Sequence, residues 1–400
     1  MTTKVKGNST GQWLPLVGLA CSAFVFNTSE FMPIGLLSDI ASDLRISDAQ
    51  AGMLISVYAW VVAFMSLPLM IMASRMELKR LMLGIVALFV VSHIGSALAT
   101  GYYTLMLSRM GVACAHAIFW SIVSPMAVRT VPPERRAMAL GVVATGSSVA
   151  MVVGLPLGRI IGIYVGWRAT FLCIGIITAV LFAYLAAVLP RLESRGGFSP
   201  RRVPQLLRNR VLTGIFIMSV LFATAHYTGY SYIEPFLGRI AGMTPDTVTL
   251  TLIVFGASGL LGSIAFSKCY MLDRYRFIAV VTAGPAVSML LMQGAAGSFW
   301  AIMAVCVVWG SMATAFNVAF QDSTMRYAPV EATSVAMSIF SGIFNLGIGL
   351  GACIGANVVT SLSLGGVGYV GGAIGLAATA YCLWCLFPQM RRSDTDGVQM

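Results

Sequence analysis

Charged residues are scarce in this chain of 400 residues, and long polar stretches are nearly absent. Asp, Glu, Lys and Arg make up 10% of the sequence, whereas soluble domains carry about 25% of them. Hydrophobic residues make up 58%, and the mean hydropathy is +0.87. The longest polar stretch covers residues 190–210, and the other connections between apolar segments are short. Such connections leave no room for a soluble domain, so the sequence predicts a bundle of helices within a lipid bilayer.

Motifs for nucleotides and metals are missing as well. The chain contains no G-x-x-x-x-G-K-[ST] run and no H-E-x-x-H pair, which excludes the usual nucleotide-driven and zinc-dependent chemistries. Cys382 and Cys385 form a C-x-x-C in an apolar segment without a nearby histidine, so we interpret them as small buried hydrophobic residues. The reactive side chains are scattered along the chain. We therefore expect no enzyme activity, no cofactor and no metal, and we expect an ion gradient as the energy source.

Apolar segments of membrane-spanning length are abundant. A span needs about 20 apolar residues to cross roughly 30 Å of hydrocarbon at 1.5 Å per residue. About twelve segments meet this requirement, namely residues 13–37, 49–73, 81–99, 103–128, 137–162, 167–189, 211–237, 248–266, 277–294, 299–320, 334–362 and 367–387.

These spans fall into two halves of about six, separated by the polar stretch. We therefore predict an all-α integral membrane fold with two pseudo-symmetric bundles. The N-terminal bundle covers residues 1–189, and a cytoplasmic linker loop covers residues 190–210. The C-terminal bundle, with a short cytoplasmic tail, covers residues 211–400. Two such halves are the usual build of secondary transporters.

Weak internal similarity supports a duplication. Glu30 lies shortly before Pro33 in the first span, and Glu234 directly precedes Pro235 in the seventh. The fifth and eleventh spans are both rich in glycine, which lets helix backbones approach closely, and Pro156 predicts a bend in the fifth. Matched Gly- or Pro-interrupted segments in two halves indicate moving helices around a central site, whereas close packing alone explains any single glycine. The residues concerned are Gly146, Gly154, Pro156, Gly158, Gly342, Gly347, Gly349, Gly351 and Gly355.

The net charge of +11 invites a comparison with nucleic-acid-binding proteins, but the placement of the basic residues argues against it. If the N-terminus is cytoplasmic, 20 of the 25 Lys and Arg residues fall in cytoplasmic segments. This is the positive-inside bias, and it predicts that both termini lie in the cytoplasm and that no nucleic acid is bound. The remaining basic residues are Arg45, Arg109, Arg159, Arg168 and Arg239.

Three ionisable residues within the spans are candidates for proton coupling. Glu30 lies within the first span, and an ionised carboxylate in hydrocarbon needs a partner, a water cavity or a proton. Arg109 lies in the fourth span and is the natural partner of Glu30, while His116 lies two turns further along the same face. Burial opposes the charged form of a carboxylate and a nearby cation favours it, so a site alternating between these environments would load and release a proton. A static ion pair, a bracing arginine and a packing histidine are the alternatives.

Uncharged polar groups next to aromatic rings are concentrated in a few spans, above all in the seventh. Such groups suit a polyhydroxylated ligand, because its hydroxyls pair in plane while its C–H faces rest on rings. Interfacial aromatic belts are the alternative explanation for rings near the span ends. The candidate substrate-binding residues are Asn27, Tyr58, Trp120, His226, Tyr230, Glu234, Asn317, Gln321 and Asn345.

Several stretches of the sequence resemble those of a known family. Over essentially its whole length the chain resembles the major facilitator superfamily, within the drug-and-sugar proton antiporter branch, and it is most similar to the SotB-type sugar efflux transporters. One departure concerns residues 71–80, which read IMASRMELKR. The superfamily usually has G-x-x-x-D-R-x-G-R-R there, and Lys79 and Arg80 alone fit this pattern. The stretches that carry the resemblance are residues 26–31, 58–62, 66–68, 108–121, 154–159, 225–236 and 340–345.

The resemblance implies a protein of twelve helices that exports sugars such as arabinose or galactosides in exchange for protons. It implies alternating access in the bacterial inner membrane, with a site between the bundles near the bilayer midplane. It also implies that Arg109 is the fourth-helix arginine linked to proton transfer, and that Gly154, Pro156 and Gly158 form the antiporter motif. We expect a monomer whose partners are the sugar, protons and lipid. A multidrug or small-metabolite exporter on the same fold is one alternative, and a membrane receptor or scaffold without transport is the other.

Overall fold

The computed structural model describes residues 9–73, 76–132, 135–193, 203–270, 272–329 and 333–398. These residues form helices joined by short turns, and no β-strand occurs among them. Positions 74 and 75 of the segment 71–80, and positions 194–202 of the predicted linker, lie outside the described residues. The predicted all-α fold is confirmed.

The helices follow one another closely along the chain. Two of them are followed directly by a single π-helical turn, at Phe236–Ile240 and at Cys382–Leu386. In chain order the helices are α1 Ser9–Gly35, α2 Leu37–Leu44, α3 Asp48–Ala73, α4 Leu78–Ala97, α5 Tyr102–Arg129, α6 Arg136–Val165, α7 Trp167–Val188, α8 Val203–Arg208, α9 Arg210–Tyr230, α10 Ile233–Pro235, α11 Pro245–Cys269, α12 Arg274–Ala295, α13 Phe299–Tyr327, α14 Thr333–Ser361, α15 Gly366–Tyr381 and α16 Phe387–Val398.

Eleven helical segments of the described chain are long and apolar enough to cross a membrane, and a bent pair raises this number to as many as 12. The bent pair is α6, whose parts Thr145–Gly154 and Pro156–Val165 meet at 42°. Proline lacks a backbone N–H and its ring crowds the preceding turn, which accounts for a bend at this position. The number of spans agrees with the prediction of about twelve.

Side-chain caps define where several of these helices begin. Asn209 accepts hydrogen bonds from the backbone N–H groups of Val211 and Leu212, at 3.0 and 3.2 Å, at the start of α9. Thr244, Asp273 and Ser298 cap α11, α12 and α13 in the same way. Each cap satisfies N–H groups that have no partner within the helix, so it fixes the end of the helix locally.

The chain divides by its internal contacts into two compact units. The first unit comprises residues 1–33 and 64–198, and the second comprises residues 34–63 and 199–400. Residues 34–63, which the sequence division assigns to the N-terminal half, therefore belong by their contacts to the second unit. The division at residues 1–189, 190–210 and 211–400 stays a prediction.

In the first unit, α6 packs against α1 at glycine positions. A Cβ at Gly146 would lie 2.3 Å from the carbonyl oxygen of Ala20. A Cβ at Gly154 would lie 2.7 Å from Oγ1 of Thr28. Because real Cβ atoms do not come this close to other atoms, glycine is what permits the two backbones to approach at these points.

In the second unit, α14 packs against α9 in the same manner. A Cβ at Gly347 would lie 2.8 Å from the carbonyl oxygen of Val220, and one at Gly351 would lie 2.5 Å from that of Thr224. Gly347 and Gly351 are one helical turn apart, so they form one continuous close-packed stripe. The predicted role of these glycines in backbone approach is therefore seen in both units.

Candidate functional site

A polar cluster lies inside the first unit where α1, α4 and α5 meet. The helices α4 and α5 pack against each other, and hydrogen bonds from both reach α1. Its histidines and arginine are almost completely buried. We call this group the Glu30 cluster, and its members are Ser29, Glu30, His93, Arg109, His116 and Trp120.

Ser29 links Arg109 to His93. The guanidinium of Arg109 donates from Nη1 to Oγ of Ser29 at 3.3 Å and from Nη2 to the Ser29 carbonyl oxygen at 3.2 Å. Nδ1 of His93 lies 2.9 Å from the Phe89 carbonyl oxygen, which can only accept, so this nitrogen carries the proton. Nε2 of His93 then accepts from the Ser29 hydroxyl at 2.8 Å. Two neutral side chains, Ser29 and His93, thus fix the orientation of Arg109.

Glu30 lies closest to His116. Its Oε2 is 3.5 Å from Nε2 of His116, and its side chain is 12% exposed. The same Nε2 accepts a hydrogen bond of 2.8 Å from the indole N–H of Trp120. Because an indole only donates, this bond requires a bare Nε2 and hence a neutral ring, whereas an ion pair with Glu30 requires a protonated ring. The position of one proton therefore decides whether His116 pairs with Trp120 or with Glu30.

Arg109 was expected to pair directly with Glu30. Arg109 donates hydrogen bonds to Ser29, which presents both a hydroxyl and a carbonyl oxygen to the arginine fork. Arg109 is also a charged neighbour of Glu30 and His116, and its direct pairing with Glu30 stays a prediction. The cluster therefore combines an acid, a base and a cation in a largely buried environment, where the protonation of a carboxylate depends on its neighbours.

A second cluster, mainly aromatic, lies within the second unit on α9, α11 and α13. His226 is 7% exposed, and its Nδ1 accepts from the indole N–H of Trp309 at 2.9 Å. The ring of Tyr230 stacks on that of His226 with centroids 5.1 Å apart, and on that of Phe255 at 5.0 Å. We call this group the His226 cluster, and its members are Phe222, His226, Tyr230, Phe255 and Trp309. It offers flat faces next to a few polar atoms.

Three predicted amides lie on α13 and α14 of the same unit. The side-chain nitrogen of Gln321 donates to the side-chain oxygen of Asn317 in a short hydrogen bond, so this oxygen already has a donor. Asn345 donates from Nδ2 to the Ser341 carbonyl oxygen at 3.1 Å. Its Oδ1 is buried and, among the described residues, has no hydrogen-bond partner. Since a buried acceptor without a partner is costly, Asn345 is the amide most ready to receive a ligand hydroxyl.

Glu234 contacts the segment 34–63. Its Oε2 accepts from the backbone N–H of Ser38 at 3.3 Å, and the residue is 5% exposed. One turn further on, Arg239 makes a two-pronged ion pair with Asp48. We call the latter the Asp48–Arg239 pair. Both contacts join the segment 34–63 to the seventh span within the second unit.

The structure brings some predicted site residues together and leaves others apart. Glu30, Arg109, His116 and Trp120 form one cluster, and His226 and Tyr230 belong to another. Asn27 is buried on α1 and Tyr58 is buried on α3. Within the described residues, no three His, Cys, Asp or Glu side chains are grouped as a metal site would need.

Sequence reasoning missed several members of the two clusters, namely Ser29, His93, Phe222, Phe255 and Trp309. A buried histidine in a span was a usable signal for His93, since imidazole nitrogens inside a membrane need partners. Phe255 and Trp309 carry no comparable signal, because aromatic residues in spans are common and their partners depend on how helices pack.

Comparison with known proteins agrees with this architecture. Residues 19–334 match the family model of the Major Facilitator Superfamily. The chain is similar to the nucleoside transporter NupG, with 13% identity, a TM-score of 0.77, and coverage of 94% of this chain and 100% of that one. It is also similar to a POT family transporter in complex with 5-aminolevulinic acid, with 13% identity, a TM-score of 0.76, and coverage of 95% and 96%.

A third similar structure is a bacterial homologue of the human lysosomal transporter Spinster, in an inward-facing and occupied conformation. It has 18% identity to this chain and a TM-score of 0.72, and the match covers 96% of this chain and 98% of that one. At such low identities these three likenesses concern the fold. The family model, in contrast, spans most of the sequence, and the chain belongs to the Major Facilitator Superfamily.

Proposed function

We propose that this membrane transporter exports sugars of the arabinose or galactoside kind across the bacterial inner membrane in exchange for protons. Both termini lie in the cytoplasm, and the protein works as a monomer by alternating access. The observation that carries the proposal is the buried contact between Glu30 and His116 beside the fixed charge of Arg109.

The chemistry of the Glu30 cluster supports proton coupling. An exporter that moves a neutral solute against its gradient needs a group that takes a proton from outside and releases it inside. Glu30 is such a group, because its carboxylate is costly in a dry environment unless it is protonated or faces a cation. His116 lies 3.5 Å away and offers a second place for the same proton.

Side chains of the second unit support a sugar as the substrate. The His226 cluster supplies aromatic faces, and the Tyr230 hydroxyl, the His226 ring and the Oδ1 of Asn345 supply hydrogen-bonding atoms. A sugar needs both, because its hydroxyls pair in plane while its C–H faces pack on rings. The resemblance to sugar efflux transporters supports the same assignment.

Counterflow in proteoliposomes tests the proposal directly. A panel of sugars, including arabinose and methyl galactoside, and a panel of cationic dyes would be tested with and without a pH gradient. We expect exchange of labelled sugar without the gradient and accumulation of sugar with it. Sugar flux that ignores the pH gradient would reject proton coupling, and absence of any sugar flux would reject the substrate class.

An exporter of drugs on the same fold is a second candidate, and the density of rings in the His226 cluster favours it. Flat apolar cations stack well on such rings and need few hydrogen bonds. The two candidates differ in how they respond to the loss of hydrogen bonds. A drug exporter tolerates Asn345→Ala and Tyr230→Phe, whereas a sugar exporter does not. Dye flux that survives both substitutions, with no sugar flux in the parent protein, would favour the drug exporter.

A further inference from the structure

The chain has three histidines, and the structure fixes the tautomer of each neutral ring through its partners. An indole N–H can only donate, so any histidine nitrogen that it contacts is an acceptor. In the His226 cluster Trp309 donates to Nδ1 of His226 at 2.9 Å. The neutral ring of His226 therefore carries its proton on Nε2.

Packing prevents Trp309 and His226 from rearranging freely. Trp309 is fully buried, its ring lies 5.4 Å from that of Phe255, and a Cβ at Gly229 would lie 3.2 Å from it. Phe222 and Tyr230 stack on His226, with interplanar angles of 7° and 24°. Since both side chains come from the turns next to His226 on α9, they fix the plane of its ring. The direction of the Nε2–H bond is thereby fixed as well.

The second ring nitrogen of His226, Nε2, can bind a ligand. Within the described residues the hydrogen bond of the His226 ring is the one from Trp309, so its Nε2–H remains available. The Tyr230 hydroxyl, one turn away, also has no hydrogen-bond partner among the described residues. His226, which is 7% exposed, therefore keeps an unused N–H next to the rings that stack on it.

We propose that Trp309 is a positioning residue that holds His226 as the Nε2–H tautomer, so that this N–H donates to an acceptor oxygen of the transported sugar. The inference rests on the proposed function, and it names a specificity determinant of the sugar site. The other tautomer would place a lone pair at Nε2. A ring or glycosidic oxygen, which has no hydrogen to donate, would then lose its partner.

The Glu30 cluster supplies a natural comparison. There Trp120 donates to the opposite nitrogen, Nε2 of His116, so the neutral His116 ring carries its proton on Nδ1. His93 also carries its proton on Nδ1, because that nitrogen donates to the Phe89 carbonyl oxygen. His226 is thus the one Nε2–H ring among the three histidines, and nitrogen NMR distinguishes the two tautomers.

The test uses the full chain, labelled with 15N-histidine, in lipid nanodiscs. The His226 signals are assigned with His226→Gln, and the NMR spectra of Trp309→Phe, Trp120→Phe and the parent protein are compared. We expect an Nε2–H ring for His226 in the parent and a mixture of tautomers in Trp309→Phe. Trp120→Phe should change the signals of His116 and leave those of His226 unchanged. An Nδ1–H ring for His226 in the parent would overturn the inference.

Binding of methyl galactoside provides the second readout. We expect its affinity to fall about two- to tenfold in Trp309→Phe, the range for one net hydrogen bond. Trp300→Phe is the matched control, because Trp300 lies on the same helix and is 77% exposed. Equal affinities of Trp309→Phe and Trp300→Phe would overturn this inference while leaving the proposed function in place. Absence of sugar binding in the parent would reject both.

Two His226 variants keep the inference testable if Trp309→Phe does not fold. His226→Gln retains an N–H donor at about the reach of Nε2, whereas His226→Phe retains the ring without a donor. We expect His226→Gln to bind methyl galactoside at least threefold more tightly than His226→Phe. The reverse order would show that the ring, and not its N–H, contributes to binding, and it would overturn the inference.

Discussion

At the scale of single residues, the Glu30 cluster places the titratable carboxylate and the positive charge on different side chains, Glu30 and Arg109. Arg109 donates hydrogen bonds to Ser29, and the Ser29 hydroxyl donates to His93, so Ser29 orients the cation. Glu30 instead faces His116, whose Nε2 already accepts from Trp120. We therefore expect Glu30 to change its protonation state while Arg109 keeps its hydrogen bonds to Ser29.

Glu30→Gln tests this separation. Glutamine keeps the size and hydrogen bonding of the protonated acid but cannot titrate, so we expect sugar exchange to continue and accumulation driven by a pH gradient to be lost. Uptake of sugar into inverted vesicles, with and without a pH gradient, measures both. Undiminished proton-driven uptake would move the coupling site to Glu234 or His116.

Arg109→Ala is the contrasting variant. It removes two hydrogen bonds to Ser29 and the charge next to Glu30. We therefore expect exchange and accumulation to fall together, since both the structure of the cluster and its electrostatics change. A variant that exchanges sugar normally would show that Arg109 contributes to coupling alone.

A second prediction at this scale concerns Asn345. Its buried Oδ1 has no partner among the described residues, whereas Asn317 already accepts from Gln321. A ligand hydroxyl that pairs with this Oδ1 contributes roughly 0.5–1.5 kcal/mol net. Asn345→Ala should therefore weaken sugar binding about two- to tenfold. Asn317→Ala, which removes an oxygen that already accepts from Gln321, should weaken it less. Equal affinities of Asn345→Ala and the parent would exclude Asn345 from the site.

At the scale of helices, glycine positions show where packing is closest. Gly351→Ala would place a Cβ 2.5 Å from the Thr224 carbonyl oxygen and 3.0 Å from the Thr228 nitrogen, so α14 or α9 must move. Gly342 lies on the same helix, but a Cβ there would lie 3.9 Å from its nearest neighbour, the Ala63 carbonyl oxygen. Overpacking typically costs about 1–3 kcal/mol.

We therefore expect Gly351→Ala to lower the thermal unfolding temperature of the detergent-solubilised protein. Gly342→Ala should leave the unfolding temperature unchanged or raise it slightly, because alanine is the better helix former by about 1 kcal/mol. The comparison isolates packing from helix propensity. Similar melting temperatures for the two variants would contradict the close approach of α9 and α14.

The Asp48–Arg239 pair gives an asymmetric prediction at the same scale. The Asp48 side chain is 8% exposed and that of Arg239 is 54% exposed. Arg239→Gln leaves a buried carboxylate without its cation, whereas Asp48→Asn leaves an arginine that water can solvate. We expect Arg239→Gln to lower the unfolding temperature more than Asp48→Asn, and the double variant to resemble Asp48→Asn. Equally small effects of the two single substitutions would show that the pair is a surface contact worth little.

Helix positions could be predicted from the sequence because apolar length alone determines them. The predicted seventh span, residues 211–237, lies within the observed span Arg210–Ile240. The break between α1 and α2 was not predicted, since Leu36 and Leu37 are as apolar as the residues before them. Nor could the partners of His93 or His226 be predicted, because they depend on which faces of distant helices meet. Composition determines which segments are helices, whereas contacts between helices determine the site.

At the scale of the whole molecule, the two units repeat one arrangement. In the first unit α6 approaches α1 through Gly146 and Gly154, and in the second α14 approaches α9 through Gly347 and Gly351. These are the first and fifth spans of each predicted half. The same helix pair, packed by the same type of residue, is what an internal duplication predicts. The orientation of this repeat in the membrane follows from a different signal, the distribution of charge.

The last prediction concerns that orientation. Of 25 Lys and Arg residues, 20 fall in segments that share one side of the membrane if the spans alternate, and basic residues are retained on the cytoplasmic side. Residues 190–210 and both termini should therefore be cytoplasmic. In a variant without native cysteines, single cysteines at positions 196 and 395 should resist a membrane-impermeant maleimide applied to intact cells and react after permeabilisation. A cysteine at position 101, in the turn before α5, should react in intact cells. Labelling of position 196 or 395 from outside would show that the topology is the reverse of the predicted one. The basic residues would then lie on the side where they are rarely retained.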